Sequence, residues 1–262
     1  MNRTISSRII SLKNNVTMLS PLMNGLFPSL FYILKTKGLP FTEQSAVYKG
    51  LNFTFRRSDL SAIKEILQAG EYDFLESLMD GEDAPYIYDL GGHIGLFALR
   101  VLSIKPLAKI MSLEASPATY KILRKNQKAN KLKCPNWSIK NGAAWKNNEN
   151  IKFKNSSEST MSHRVDKNGD VDVPGVTYKD IIELHSQDNP INIMKIDIEG
   201  AEEAFLCDVE ADFSNVQNLI IELHPNYCDV TRIKAMLSRS FSTITEQHDS
   251  SLSKPLLLCQ SL

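Results

Sequence analysis

The stretch Tyr86-Ile87-Tyr88-Asp89-Leu90-Gly91-Gly92-His93-Ile94-Gly95 decides how the rest of the chain is read. Residues 86–90 are a short apolar run of strand length that enters a glycine-rich turn, and Leu96–Leu102 follow at helical spacing. Strand, tight turn and helix in that order open a nucleotide-binding α/β unit. Glycine suits such a turn because it takes positive φ and lets backbone approach a ligand closely. Glu114 ends the next strand, about twenty residues on, where an acid can accept both hydroxyls of a ribose. A glycine cluster alone is also what a plain strand-to-helix loop contains. The strand, the helix and the spaced acid together make it a cofactor site.

The turn also discriminates between cofactors. A dinucleotide fingerprint wants Gly-x-Gly-x-x-Gly, with backbone N–H groups around a pyrophosphate. Gly91, Gly92 and Gly95 lack the Gly-x-Gly element, and Asp89 precedes them. A carboxylate there repels pyrophosphate and suits the cationic amino-acid end of S-adenosylmethionine. No Gly-Lys-Ser/Thr follows, which excludes a P-loop, and a nicotinamide-dependent oxidoreductase is disfavoured for want of Gly-x-Gly.

Outward from the turn, Ala108–Leu113, Trp137–Asn141, Ile191–Ile196 and Asn218–Leu223 read as strands, with Phe241–Thr245 and Pro255–Cys259 as a closing pair. Pro117–Asn130, Tyr178–His185, Ala201–Asp208 and Val230–Leu237 read as helices between them. This alternation implies βαβ units, a mostly parallel sheet and one Rossmann-like α/β domain. Parallel strands are usually unbroken apolar runs, and Asn192 and Lys195 interrupt Ile191–Ile196. Upstream, Val47–Leu51 and Asn52–Arg56 suggest a hairpin that turns at Lys49-Gly50 or Leu51-Asn52. Ser58 and Asp59 are helix N-cap types before an apolar-periodic run that Gly70 stops, and Phe74–Leu78 suggests another short helix. The organisation expected is an N-terminal extension over 1–45, helical and irregular, and a domain over 46–262. Within the domain, 46–85 form a preceding hairpin and helices, and 145–175 a polar insertion with one strand-like piece at Ile151–Lys154.

Composition narrows the class. The chain of 262 residues is 42% hydrophobic and 23% charged, ordinary for a globular protein. Thirty basic residues balance thirty acidic ones, which leaves no general electrostatic footprint for nucleic acid. Cys134, Cys207, Cys228 and Cys259 have no metal-ligand spacing and read as buried, reduced thiols of a cytoplasmic protein. Two glycosylation sequons, at Asn15 and Asn52, carry no weight without a secretory signal. The apolar stretch within 20–34 is too short to span a bilayer and reads as a segment that docks on the domain or a partner, or touches a membrane surface.

Four stretches resemble the FkbM family of methyltransferases: Asp89–Gly95, Glu114-Ala115-Ser116-Pro117, Lys195-Ile196-Asp197-Ile198-Glu199-Gly200-Ala201-Glu202, and Ile221-Glu222-Leu223-His224. The resemblance runs from about Val47 to the C-terminus, and the stretch from Lys195 to Glu202 is its most specific element. It implies a class I methyltransferase fold, with a seven-stranded sheet and helices on both faces, and methyl transfer to a hydroxyl of a sugar, glycan or natural-product small molecule. It further implies that Asp89, Gly91, Gly92, His93 and Gly95 hold the methionine part, Glu114 the ribose, and the segment around Ala143 the adenine. His93 stands where the family usually has asparagine, and residues 1–45 fall outside the resemblance.

A sulfonium already activates its methyl group, so the protein must align the acceptor and remove its proton. In a class I sheet, Asp197 after the fourth strand and His224 after the fifth flank the glycine turn and converge on the methyl group. His224 is the expected base because an imidazole titrates near neutrality. Asp197 orients it, contacts the acceptor or is the base, and Glu199 and Glu222 are nearby candidates. Asp197, Glu199 and Glu202 are equally ordinary at a helix start, and Lys195 inside a strand is expected to pair with a carboxylate. A divalent ion such as magnesium could use these donors, but no compact ligand motif supports it and no metal ligand is assigned. The competing reading is a catalytically silent binding protein on the same fold, which the retained Asp89, Glu114, Asp197 and His224 argue against.

Overall fold

The computed structural model describes residues 5–37, 39, 42–154, 164–165, 169, 171–183, 189–207, 211–247 and 254–261. Its centre is a seven-stranded sheet. Strands β3 (Tyr86–Leu90), β4 (Lys109–Glu114) and β5 (Trp137–Asn141) lie side by side and parallel. On the other side of β3 come β10 (Ile191–Ile196) and β11 (Val216–Glu222), also parallel. β13 (Leu256–Gln260) then runs antiparallel between β11 and β12 (Thr243–Glu246), giving the order β12-β13-β11-β10-β3-β4-β5. The strand order reverses direction at β3, which places a crevice at its C-terminal end.

The polar interruptions of β10 are paired inside the sheet. Asn192 Oδ1 accepts from Tyr86 N (2.8 Å), and its Nδ2 donates to Gln217 Oε1 (2.9 Å), so it clamps both neighbouring strands. Lys195 reaches the crevice end, where its Nζ donates to Gly91 O.

Helices α5 (Leu96–Ile104) and α6 (Pro117–Asn130) cover one face, and α7 (Tyr178–Glu183), α8 (Glu202–Leu206) and α9 (Val230–Ser240) lie on the other. Ser116 caps α6 by accepting from Thr119 N, with Pro117 at the first position. Asp229 caps α9 in the same way through Arg232 N. The helix expected over Ala201–Asp208 ends at Leu206, whereas the expected end of α7 at His185 falls outside the described residues, which omit 184–188 and 208–210.

The α5–α6 face carries the upstream segments. α1 (Ile5–Leu19) and α2 (Leu26–Lys35) bury Leu19, Tyr32 and Ile33 in the same core as Phe53, Phe55 and Ile63. α2 turns Phe27 and Phe31 outward, 86% and 67% exposed. Among the described residues no helix is long and apolar enough to cross a membrane. The hairpin pairs β1 (Glu43–Tyr48) with β2 (Leu51–Arg56), so its first strand starts and ends earlier than Val47–Leu51. Lys49 and Gly50 both take positive φ (44° and 84°), which fixes the two-residue turn there and releases Leu51 into the second strand.

That hairpin is held by helix side chains rather than by a sheet. Asn130 Oδ1 accepts from Asn52 N (2.9 Å) and its Nδ2 donates to Asn52 O (2.7 Å). Asn126 repeats the pattern on Thr54 N (2.6 Å) and Thr54 O (3.0 Å). Two carboxamides spaced four apart on α6 thus satisfy the open edge of β2, which buried backbone requires. After the hairpin, residues Arg57–Asp59 form a 3-10 turn into α3 (Leu60–Leu67), and a single turn, α4 (Leu75–Leu78), follows.

Of the polar insertion, β7 (Asn150–Lys154), β8 (Arg164–Val165) and β9 (Val171–Val176) join β6 (Ala143–Ala144) in a small second sheet. Residues 155–163, 166–168 and 170 lie outside the described residues. All four cysteines are free and buried.

Candidate active site

The turn after β3 is fastened to the strands on either side. Gly91 N and Gly92 N both donate to Leu113 O at the end of β4 (2.9 and 2.8 Å), and Asp197 N donates to Leu90 O (3.0 Å). Gly91 has φ 81°, and a Cβ added there would stand 1.7 Å from Asp197 O. The close approach that requires glycine is therefore to the protein's own chain beyond β10. Gly95 is the left-handed N-cap of α5 and abuts Trp137 and Leu123, on the core side.

Beneath the turn runs a buried relay. Trp137 Nε1 donates to Ser112 Oγ (3.1 Å), which donates to Asp89 Oδ2 (3.0 Å). Asp89 Oδ1 lies 3.7 Å from Lys195 Nζ. Lys195 also donates to Gly91 O (3.1 Å) and Asp197 Oδ2 (3.3 Å). Burial opposes the charge on Lys195, but Asp197 and Asp89 outweigh it and hold its pKa above the usual range.

Above the turn opens a cleft of about 800 Å³, part of it open to solvent. Gly91, Gly92 and His93 form its floor, Glu114 and Ala143 one wall, and Asp197 and Glu199 the other. Phe153 of the second sheet and Ile66 of α3 also border it. Glu114 Oε2 accepts from His93 N (2.9 Å) and Oε1 from Ser116 N (2.8 Å). Burial pushes its carboxyl up to about 7.

Two sequence-derived cofactor candidates are not on this wall. Asp89 is fully buried under the turn, and Gly95 faces the core. Direct contact of either with a cofactor is not what the geometry provides. Their work is to shape the turn, because an acid ending a buried strand finds its partners in Ser112 and Lys195 before it reaches the cleft.

His93, where the resemblance implies asparagine, turns its ring toward Asp59. Its Nε2 lies 3.3 Å from Asp59 Oδ1. Asp59, expected as an N-cap for α3, makes no side-chain cap bond there. Its carboxylate instead accepts from Arg56 N (2.7 Å) and Arg56 Nε (3.0 Å). Burial alone would raise the Asp59 pKa, yet His93 and Arg56 hold it well below the usual carboxylate range.

At the far wall four carboxylates surround one imidazole. His224 Nδ1 meets Glu202 Oε1 at 2.8 Å, and its Nε2 lies 3.2 Å from Glu199 Oε2, 3.6 Å from Glu222 Oε1 and 4.0 Å from Asp197 Oδ1. Burial disfavours the imidazolium, but Glu199 and Glu202 overcome it and raise the His224 pKa to about 10. The expectation of a near-neutral imidazole is thus not met, because the carboxylates stabilise its cation. Burial and the charge of Asp197 push Glu222 up to about 8. Burial likewise acts to raise the pKa of Asp197, but Lys195 and His224 outweigh it and keep the carboxyl below its usual range. Lys254 Nζ, 3.2 Å from Glu222 Oε1 and 3.4 Å from Glu199 Oε2, completes the group. Asp197, Glu199, Glu222 and His224 therefore come together as expected, with Asp197 and Glu199 facing the cleft and His224 and Glu222 behind them. Sequence reasoning missed Lys254, which carries no local motif, and gave Asp59 only an N-cap role and Glu202 only a helix-start role.

A mostly parallel sheet in this order, with a glycine turn on its central strand and an acid ending the next, defines an S-adenosylmethionine-dependent methyltransferase. More narrowly, the chain belongs to the FkbM methyltransferase family: residues 89–244, more than half of its length, match the methyltransferase FkbM domain. It is 25% identical over 187 residues to the hexuronic acid methyltransferase AglP of Haloferax volcanii, covering 69% of this chain and 75% of that one. Among solved structures, the METTL16 MTase domain aligns with a TM-score of 0.47 at 9% identity, over 74% of this chain and 67% of that one. The precorrin-6y C5,15-methyltransferase of Geobacter metallireducens aligns with a TM-score of 0.43 at 9% identity, over 74% and 89%.

Proposed function

We propose that this methyltransferase acts on a hydroxyl of a sugar, glycan or related small molecule. The observation that carries the reading is the position of Asp197. Its backbone abuts Gly91 of the cofactor turn while its carboxylate faces the open cleft beside Glu199. One residue thereby links the cofactor side of the cleft to the acceptor side. The sugar-modifying activity in the name of the Haloferax volcanii relative agrees with this acceptor class.

The residues present fit S-adenosylmethionine. Gly91, Gly92 and His93 would hold its amino-acid part, Glu114 its ribose and Ala143 its adenine, with Asp89 acting from below through Lys195. The cofactor supplies a methyl group on a sulfonium, ready for attack by an oxygen nucleophile. Asp197 is ionised at neutral pH, and its partly exposed carboxylate faces the cleft, which places it to accept the acceptor's proton. His224, held as a cation, orients Asp197 and Glu199 rather than serving as the free base.

Calorimetric titration with S-adenosylhomocysteine tests the cofactor half, and absence of binding would remove it. Incubation with S-adenosylmethionine and a panel of hydroxylated glycans, read by mass spectrometry for an added methylene mass, tests the acceptor. Cofactor binding without transfer to any acceptor would favour a silent binding protein.

A further inference from the structure

We infer that Asp197, Glu199 and His224, with Glu222 beside them, form a binding site for one divalent metal cation at the acceptor side of the cleft. The inference rests on the methyl-transfer reading only for what the cation does there. The donor atoms of Asp197, Glu199 and His224 lie within 4.8 Å of one another. An octahedral ion with metal–oxygen bonds of about 2.1 Å separates its ligand atoms by about 3 to 4.2 Å. The spacings from His224 Nε2, at 3.2, 3.6 and 4.0 Å, already fall in that range.

The second observation is independent of the acidic cluster. His224 is 2% exposed, and its Nε2 has no hydrogen-bond partner of acceptable geometry; a bound cation takes the place of the Nε2 proton that the carboxylates favour in the metal-free chain, and that proton leaves to solvent. Asp197 Oδ1, aimed at the same point, is likewise buried without one. Buried polar atoms left in this way call for a ligand. The other ring nitrogen, Nδ1, is fixed at 2.8 Å by Glu202, which is fully buried and also accepts from Gly200 N (3.1 Å). A buried carboxylate behind a histidine is how proteins orient a metal-binding imidazole and fix its tautomer.

Lys254 Nζ occupies part of the space between Glu199 and Glu222. Its side chain is 38% exposed, so it can swing into solvent when a doubly charged ion takes its place. One nitrogen and two or three carboxylate oxygens favour a borderline-to-hard ion such as Mn²⁺ or Mg²⁺. There the ion would bind the acceptor's oxygen and lower the pKa of that hydroxyl, easing the proton's departure to solvent.

The test uses Mn²⁺ and the full chain, read by electron paramagnetic resonance and thermal unfolding. Wild-type protein is expected to quench the free-ion signal at one Mn²⁺ per chain and to unfold at higher temperature with Mn²⁺ present. Asp197→Asn and Glu199→Gln should each weaken binding at least about tenfold, while Glu203→Gln, away from the cleft, should not. An undiminished free-ion signal with wild-type protein, or equal binding by the variants, overturns the inference. S-adenosylhomocysteine titrated into the same samples separates the two readings: cofactor binding without Mn²⁺ binding sinks only the metal site, and Mn²⁺ binding without cofactor binding sinks only the methyltransferase reading of the cleft. Should both variants fail to fold, the Mn²⁺-dependent shift of the wild-type protein decides, and its absence rejects the site.

Discussion

His93 Nε2 lies 3.3 Å from Oδ1 of Asp59, a residue outside the matched family domain, so the glycine turn is braced from the segment before it. Asp59 in turn neutralises the buried guanidinium of Arg56, whose Nη2 also donates to Thr119 Oγ1 (3.3 Å). Asp59→Asn is expected to cost about 3 kcal/mol in urea unfolding, because it leaves Arg56 without its counter-charge. His93→Asn should cost about 1 kcal/mol, and the double variant less than the sum of the two. Additive losses would show that the two side chains are not coupled.

Gly91 and Gly81 have nearly the same φ, 81° and 80°, but different surroundings. A Cβ on Gly81 would meet nothing within 4 Å, whereas one on Gly91 would strike Asp197 O. Gly81→Ala is therefore expected to cost about 1–2 kcal/mol, the left-handed backbone penalty alone. Gly91→Ala should cost about 4 kcal/mol and abolish S-adenosylhomocysteine binding, since the Asp197 backbone must move. Equal losses from paired unfolding experiments would rule out the close approach as the reason for glycine.

Burial raises the Glu114 carboxyl from 4.5 to about 7, which makes two opposite pH dependences. In the cofactor-free protein its contribution to stability is full below about pH 4.5 and is lost as pH rises through about 7. On the proposed role, in which the ionised carboxylate accepts from ribose hydroxyls, cofactor affinity runs the other way. Calorimetry at pH 6, 7 and 8 should show S-adenosylhomocysteine binding tighten by about tenfold across that window. Glu114→Gln should bind weakly with a flat profile, and an unchanged slope in that variant would detach Glu114 from the ribose.

Asn126 is fully buried and, besides Thr54, donates to Ile94 O (2.8 Å) at the end of the cofactor turn. Asn126→Ala leaves three backbone groups unsatisfied and is expected to destabilise the chain by about 3 kcal/mol. Asn126→Asp keeps the acceptor for Thr54 N but sets a charge against two carbonyl oxygens, so it should be no better. Hydrogen exchange at Thr54 N reads the loss directly, and unaltered protection would show that the hairpin is held otherwise.

The amino-acid sequence by itself determined the sheet, its helices and the location of the glycine turn. Tyr86–Leu90, Trp137–Asn141 and Ile191–Ile196 keep the boundaries expected of them, because apolar runs, glycine turns and caps act through neighbours in the chain. It also singled out Asp197, Glu199, Glu222 and His224, since strand ends of a parallel sheet share one edge. Only the tertiary structure decided how those groups interact. Whether His224 is a base or a cation depends on Glu202 and Glu199 packed around it, and whether Asp89 faces the cleft depends on Ser112 and Lys195 from neighbouring strands. The bracing of His93 by Asp59 and of β2 by Asn126 joins residues 34 and 72 positions apart, across distances that no local pattern encodes. Charge and burial are sums over spatial neighbours, and for these residues the neighbours come from elsewhere in the chain.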